Sequence, residues 1–222
     1  MKTDSSRIGA RAFTVVELLV VIGMLAVLAL LLIPAKDNRP AKNTIIRCHN
    51  NLRQIGLALH LFASDNNWQY PPEVSITNGG SLEFIGSNSP ALHFRTLSNY
   101  LGGSWSVWHC PADQAKQSLT NNSTLTDRNL SYFISVNATQ VLTNAIQAGD
   151  RSLEAAGQPV RPGLFTLTTN TEVGWTREMH SKDARARRGN ILLSDGSVDS
   201  VRANLSGAVQ SQGLAANRLA VP

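Results

Sequence analysis

The sequence predicts an α+β protein: a long N-terminal stem helix, with a membrane half and an amphipathic half, packed on a small antiparallel β-sheet head. Three observations predict it. Near its N-terminus, from Phe13 to Ile33, the chain carries an apolar stretch whose one charge is Glu17. Beyond it, apolar residues recur at helical spacing as far as Phe62. Near the C-terminus, two β-prone arms flank Asp195-Gly196.

The apolar half comes first. Lys2, Arg7 and Arg11 precede it, opposed by Asp4 alone, which is the flank expected to stay cytoplasmic. Phe13 to Ile33 is 21 residues, about 31 Å as a helix, or one hydrocarbon thickness. That length predicts a single membrane span. Glu17 is the anomaly, because an acid in a bilayer costs roughly 2.5–3.5 kcal/mol on the most lenient scale. A secretory signal cut at the far end of the run would need small residues there, and Ile33 is bulky.

The amphipathic half follows a break at 36-KDNRP-40, where Pro40 disfavours helix at the residue before it. Ala41, Ile45, Cys48, Leu52, Ile55, Leu59 and Phe62 then form one helical face. Ile46, Leu57 and Leu61 form a second strip, either more core or a contact with neighbouring subunits. Ser64-Asp65-Asn66-Asn67 ends the helix.

The head, 68–222, reads as short elements between loops. Ser89–Leu101 has a candidate N-cap, a proline in its first turn and Gly102-Gly103 beyond its end, the marks of a short helix. Ser104–His109, Leu130–Val136 and Gly163–Thr169 have strand chemistry. Residues 189-GNILLSDGSVDSVR-202 predict a hairpin with a tight primed turn at Asp195-Gly196, since both residues tolerate positive φ. Asn204–Ala215 suggests a last short helix.

The start Phe13-Thr14-Val15-Val16-Glu17, with its basic flank, uncharged run and Pro34, resembles the prepilin signal of type IV pilins and type II secretion pseudopilins. The segments 47-RCHNNLRQIGLALHLFASDNN-67, WHCPAD at 108–113, SYFISVN at 131–137 and GNILLSDGSVDSV at 189–201 resemble pilin-like proteins with a C-terminal His…Asp-Gly segment. The likeness covers most of the chain in pieces. It departs at Ala12, where glycine is usual, and in the 14 residues between His180 and Asp195, a longer gap than the family's.

The resemblance implies a prepilin leader at 1–12, cleavage between Ala12 and Phe13, and methylation of Phe13. It implies a transmembrane half at 13–35 with a helix kink at Pro34, and an amphipathic half at 36–67. It makes Glu17 an assembly contact with the Phe13 amine. The implied partners are prepilin peptidase, other pilin-like subunits and membrane lipid. The implied place is the inner membrane, single pass, with the N-terminus cytoplasmic and the head on the exported, periplasmic side. The expected function is a structural, non-enzymatic pseudopilin of a type II secretion or type IV pilus-like fibre. Two alternatives stand beside it: an unprocessed, membrane-anchored periplasmic binding or enzyme domain, and a DNA-binding pilin.

Candidate chemistry is sparse. Cys48 and Cys110 would share an oxidising space if the head is exported, which suggests a disulfide; Cys48 as a plain core residue is the alternative. Zinc is the rival, from Cys48-His49 and His109-Cys110, but the usual ligand spacings are absent. Asp195, Ser197 and Asp199 offer oxygens for calcium. His180 lies near Asp183, yet no nucleophile motif, phosphate-binding loop or paired-carboxylate motif accompanies it. No cofactor and no small-molecule substrate are expected. The net charge is +5, and Lys182, Arg185, Arg187 and Arg188 concentrate part of it. That cluster is a candidate contact for nucleic acid, but it has no interleaved aromatics on which bases could stack.

Overall fold

The structure is a computed structural model, and it describes residues 14–32, 40–119, 124–180, 187–202 and 204–222. The chain divides into two compact units, Met1–Asn38 and Arg39–Pro222.

The first unit contains one helix, α1, Val15–Leu32. Its start is set by a reciprocal cap. The Thr14 hydroxyl accepts from the Glu17 amide (3.3 Å), and Glu17 Oε2 accepts from the Thr14 amide (3.0 Å) and hydroxyl (2.8 Å). This is a capping box, with the acid at the third helical position. The Thr14 amide bond, then the hydroxyl bond, hold the Glu17 carboxyl below its ordinary range.

Two expectations are corrected here. The stem is not one long helix: α1 ends at Leu32, and a second helix, α2, spans Pro40–Asp65. Proline lacks an amide donor and suits the first turn of a helix, so Pro40 opens α2 instead of interrupting a longer one. Pro34 and its expected kink lie outside the described residues. The membrane half is also overturned. Among the described residues no helix is long and apolar enough to cross a membrane. At 18 residues, α1 rises about 27 Å, short of a hydrocarbon core of about 30 Å. The transmembrane span at 13–35 and the single-pass inner-membrane placement fall with it.

The second unit is layered. A six-stranded antiparallel sheet has the order β5-β9-β1-β2-β7-β8. Its strands are β1 Tyr132–Ser135, β2 Ile146–Asp150, β5 Gly163–Thr168, β7 Arg188–Leu193, β8 Val198–Arg202 and β9 Ala216–Val221. Helix α2 covers one face. Its predicted apolar stripe is buried at Cys48, Leu52, Ile55, Leu59 and Phe62, against Ile134, Ala148, Leu192 and Ala220. Ile46, Leu57 and Leu61 remain exposed. The other face packs Phe133, Ile191, Leu219 and Val221 against a three-stranded sheet and a short helix. These are β3 Leu153–Ala155, β4 Gln158–Pro159 and β6 Val173–Trp175, with α4 Ser206–Ser211.

Some local expectations shift. Ser89–Leu101 contains only a five-residue helix, α3, Ala91–Arg95, followed by a 3-10 turn. Residues Trp105–Trp108 form a 3-10 helix where the composition of Ser104–His109 predicts a strand. Their aromatic and β-branched side chains fill the core instead: Trp108 is buried edge-on to Phe94, with ring centroids 5.6 Å apart. The β7–β8 hairpin forms, but not with a two-residue primed turn. The Gly196 amide donates to Leu193 O and the Leu193 amide to Ser197 O, so three residues make the loop. Only Gly196 has positive φ, at 84°, as a glycine ending a three-residue hairpin should.

One buried histidine predicts a pH effect. His93 is shielded from water, its Nδ1 2.8 Å from the buried Ser81 hydroxyl. Burial pushes its pKa down to about 4. The unfolded chain therefore takes up this proton near pH 6.5, before the folded chain does. Stability should fall as pH drops from about 6.5 to about 4, by roughly 3 kcal/mol at 1.36 kcal/mol per unit. Urea midpoints across that range should show the loss, and His93→Gln should flatten it. An unchanged slope in the variant would exclude His93 as the cause.

A buried carboxylate–imidazole–disulfide cluster

A row of polar side chains crosses the sheet on the face that α2 covers. Tyr132 on β1 is opposite Asp150 on β2, and Asn190 on β7 is opposite Ser200 on β8. Ser200 Oγ donates to Asn190 Oδ1 (2.6 Å), and Asn190 donates to Asp150 Oδ2 through its amide (2.6 Å) and Nδ2 (3.1 Å). Asp150 is 0 % exposed. Polar groups in such a place need partners, because an unpaired one forfeits its hydration. Burial, then the charge of Asp150, push the Tyr132 hydroxyl well above its ordinary pKa.

The row ends at a disulfide. Cys48, on the buried stripe of α2, bonds Cys110, with their Cα atoms 5.0 Å apart. His180 sits between the two features. Its Nε2 is 3.0 Å from Asp150 Oδ2 and 3.6 Å from Cys110 Sγ. Its side chain is 1 % exposed. Three side-chain atoms of the row and its end have no hydrogen-bond partner among the described residues: Tyr132 Oη, Asp150 Oδ1 and His180 Nδ1.

A second ion pair secures the same corner. Asp113 accepts two bonds from Arg151, Nε to Oδ2 at 2.7 Å and Nη2 to Oδ1 at 2.8 Å. The Asp113 amide donates to Cys110 O, and the Arg151 amide donates to Ser131 O. The Cys110 loop is thus tied to the end of β2 by a bond through each of two consecutive residues, Asp150 by way of His180 and Arg151 directly.

This is not a nucleophile–base–orienter set. In such a set the acid orients one imidazole nitrogen while the other faces the nucleophile. Here carboxylate and sulfur face the same nitrogen, and the sulfur is already in a disulfide.

The other expected site residues are scattered. Ala12 and Phe13, the expected cleavage and methylation positions, lie outside the described residues, as do Lys182, Asp183 and Arg185. Arg187 donates to Glu154 at 2.8 and 3.0 Å, and Arg188 opens β7. Asp195 Oδ1 is occupied by the Ser197 amide (2.8 Å) and hydroxyl (2.6 Å). Neither Asp195 nor Asp199 belongs to a group of three His, Cys, Asp or Glu placed to share a cation among the described residues. The one such group is Cys48, Cys110 and His180. His49 and His109, the rival zinc residues, turn instead to Val198 O and Asp113 O.

Asp150, Asn190, Asp113 and Arg151 carried no motif in the sequence. Two of them had an indirect signal: Asp113 lies in WHCPAD and Asn190 in GNILLSDGSVDSV, segments that resembled a family, whereas Asp150 and Arg151 lie in none. Compared with family models, curated proteins and solved structures, the chain matches none.

Proposed function

We propose that this chain is a structural, non-enzymatic subunit of the pilin-like class, which joins other subunits through its N-terminal helix. One observation carries the reading. Every side chain of α1 from Val15 to Leu30, Glu17 apart, is apolar or glycine, and all of them are exposed. A helix that is apolar all round is stable when other surfaces enclose it. Helices of neighbouring copies supply such a surface. The prepilin-like start, Phe13-Thr14-Val15-Val16-Glu17, supports the same reading, with cleavage before Phe13 by a prepilin peptidase. Glu17 then has two uses: it caps α1, and it offers a carboxylate to the new Phe13 amine of an adjacent subunit.

A photocrosslinking residue at Leu25 in the full chain tests this. Covalent dimers and a ladder of higher species are expected. Val20→Glu with Leu28→Glu should remove the ladder, because each would bury a charge between helices. Glu17→Val should weaken it, and N-terminal mass analysis should find a chain starting at Phe13. Monomer alone at all protein concentrations would refute the assembly reading.

A further inference from the structure

We propose that, with the Cys48–Cys110 bond reduced, this corner of the head holds one zinc ion between Cys48 Sγ, Cys110 Sγ and His180 Nε2, with the Asp150 carboxylate as the fourth donor. The three ligand atoms of the cysteines and His180 already lie within 4.8 Å of one another. In a tetrahedral site with zinc–sulfur and zinc–nitrogen bonds of about 2.3 and 2.0 Å, sulfur and nitrogen stand roughly 3.5 Å apart. Cys110 Sγ and His180 Nε2 are 3.6 Å apart. Nitrogen and carboxylate oxygen would stand roughly 3.3 Å apart in the same tetrahedron; the separation here is 3.0 Å. Once their bond is gone the two sulfurs must part to roughly 3.8 Å, and Asp150, which stands outside that mutually close group, must close on the sulfur side.

A second observation points to a cation independently. Asp150 is fully buried, and its Oδ1 has no partner among the described residues. Its other oxygen serves Asn190 and His180. A carboxylate placed so is short of positive charge, and two thiolates beside it would deepen the deficit. Zinc supplies two positive charges and suits the mixed sulfur, nitrogen and oxygen donor set. Asn190 already bonds the carboxylate through two donors at Oδ2, as the outer partners of metal ligands do. In an oxidising environment the pair stays a disulfide, and in a reducing one it becomes a dithiol. The corner thus has two ways to close: a covalent bond, or a metal.

The chemistry balances simply. A phosphine reductant takes two electrons' worth of oxidation, becoming a phosphine oxide with an oxygen from water. The S–S bond breaks, and water's two protons complete two thiols. Zinc then displaces those protons to solvent.

The test uses the full chain, phosphine-reduced and separately oxidised, titrated with zinc and, for its spectrum, with cobalt(II). The reduced protein should bind one equivalent of zinc. With cobalt it should show a thiolate-to-metal charge-transfer band and the intense visible bands of a four-coordinate ion. The oxidised protein should show neither. His180→Gln should weaken zinc by about 100-fold or more, while His180→Cys, which restores a donor, retains it. X-ray absorption on the zinc-loaded wild type adds a readout free of folding effects: two sulfurs, an imidazole and a light atom are expected. A reduced wild type that binds no zinc, a cobalt spectrum without the charge-transfer band, or a zinc shell lacking imidazole would each overturn the proposal.

Discussion

Arg151→Met should destabilise the head by about 3–5 kcal/mol, the cost of leaving a buried charge without its partner. Asp113 is the charge concerned, 1 % exposed and held by two guanidinium bonds. Methionine keeps much of the volume and removes all donors. Glu178, also paired with Arg151 at 3.2 Å, is half exposed and contributes little. The companion Asp113→Leu leaves the guanidinium with Glu178 and, at 14 % exposed, closer to water, so its cost should be smaller. The double variant should recover part of the loss, since a buried pair is often replaceable by packed apolar groups. Urea unfolding, followed by fluorescence of the buried Trp108 and Trp175, measures all three. A double variant as unstable as the sum of the singles would mean that the two residues do not act as a pair.

The parts of the fold that were legible in the sequence are those where one period dominates. The buried stripe of α2 was readable because Cys48, Leu52, Ile55, Leu59 and Phe62 keep helical spacing over several turns. Tyr132–Ser135, Gly163–Thr168 and the β7–β8 arms were readable because they are rich in β-branched and aromatic residues. The central strand β2 was not. Its sequence, IQAGD, is weak strand chemistry, yet all five residues are buried. Position dictates that composition: a Cβ at Gly149 would lie 2.6 Å from the Phe133 ring. The capping box at Thr14 and Glu17 was legible in principle, because a threonine three residues before a glutamate is its signature. The apolar run drew attention to a membrane and away from the helix end. The cluster around Asp150 was not legible, because its members come from β2, β7, the Cys110 loop and residue 180. Strand pairing and the docking of α2 through Cys48 bring them together.

Removing the disulfide should cost about as much as breaking that ion pair, and by a different route. Replacing Cys48 and Cys110 with serine frees a loop of 62 residues in the unfolded chain. The chain-entropy estimate for such a loop is about 4 kcal/mol. Two further effects follow from the site. Each serine hydroxyl would sit in a fully buried position, where an unpaired polar group adds about 1–3 kcal/mol. One of the two has a partner close by: a hydroxyl at position 110 faces His180 Nε2, so it can bond there. The other, on α2 among Leu52, Ile55 and their neighbours, has only its own helix backbone. Alanine at 48 with serine at 110 should therefore be the least damaging pair, and serine at 48 with alanine at 110 the worst. The stability order, read from urea midpoints of the full chain, tests both the loop estimate and the place of His180. If both mixed pairs melt alike, His180 does not engage position 110. If both match the oxidised wild type, the bond does not hold the head together.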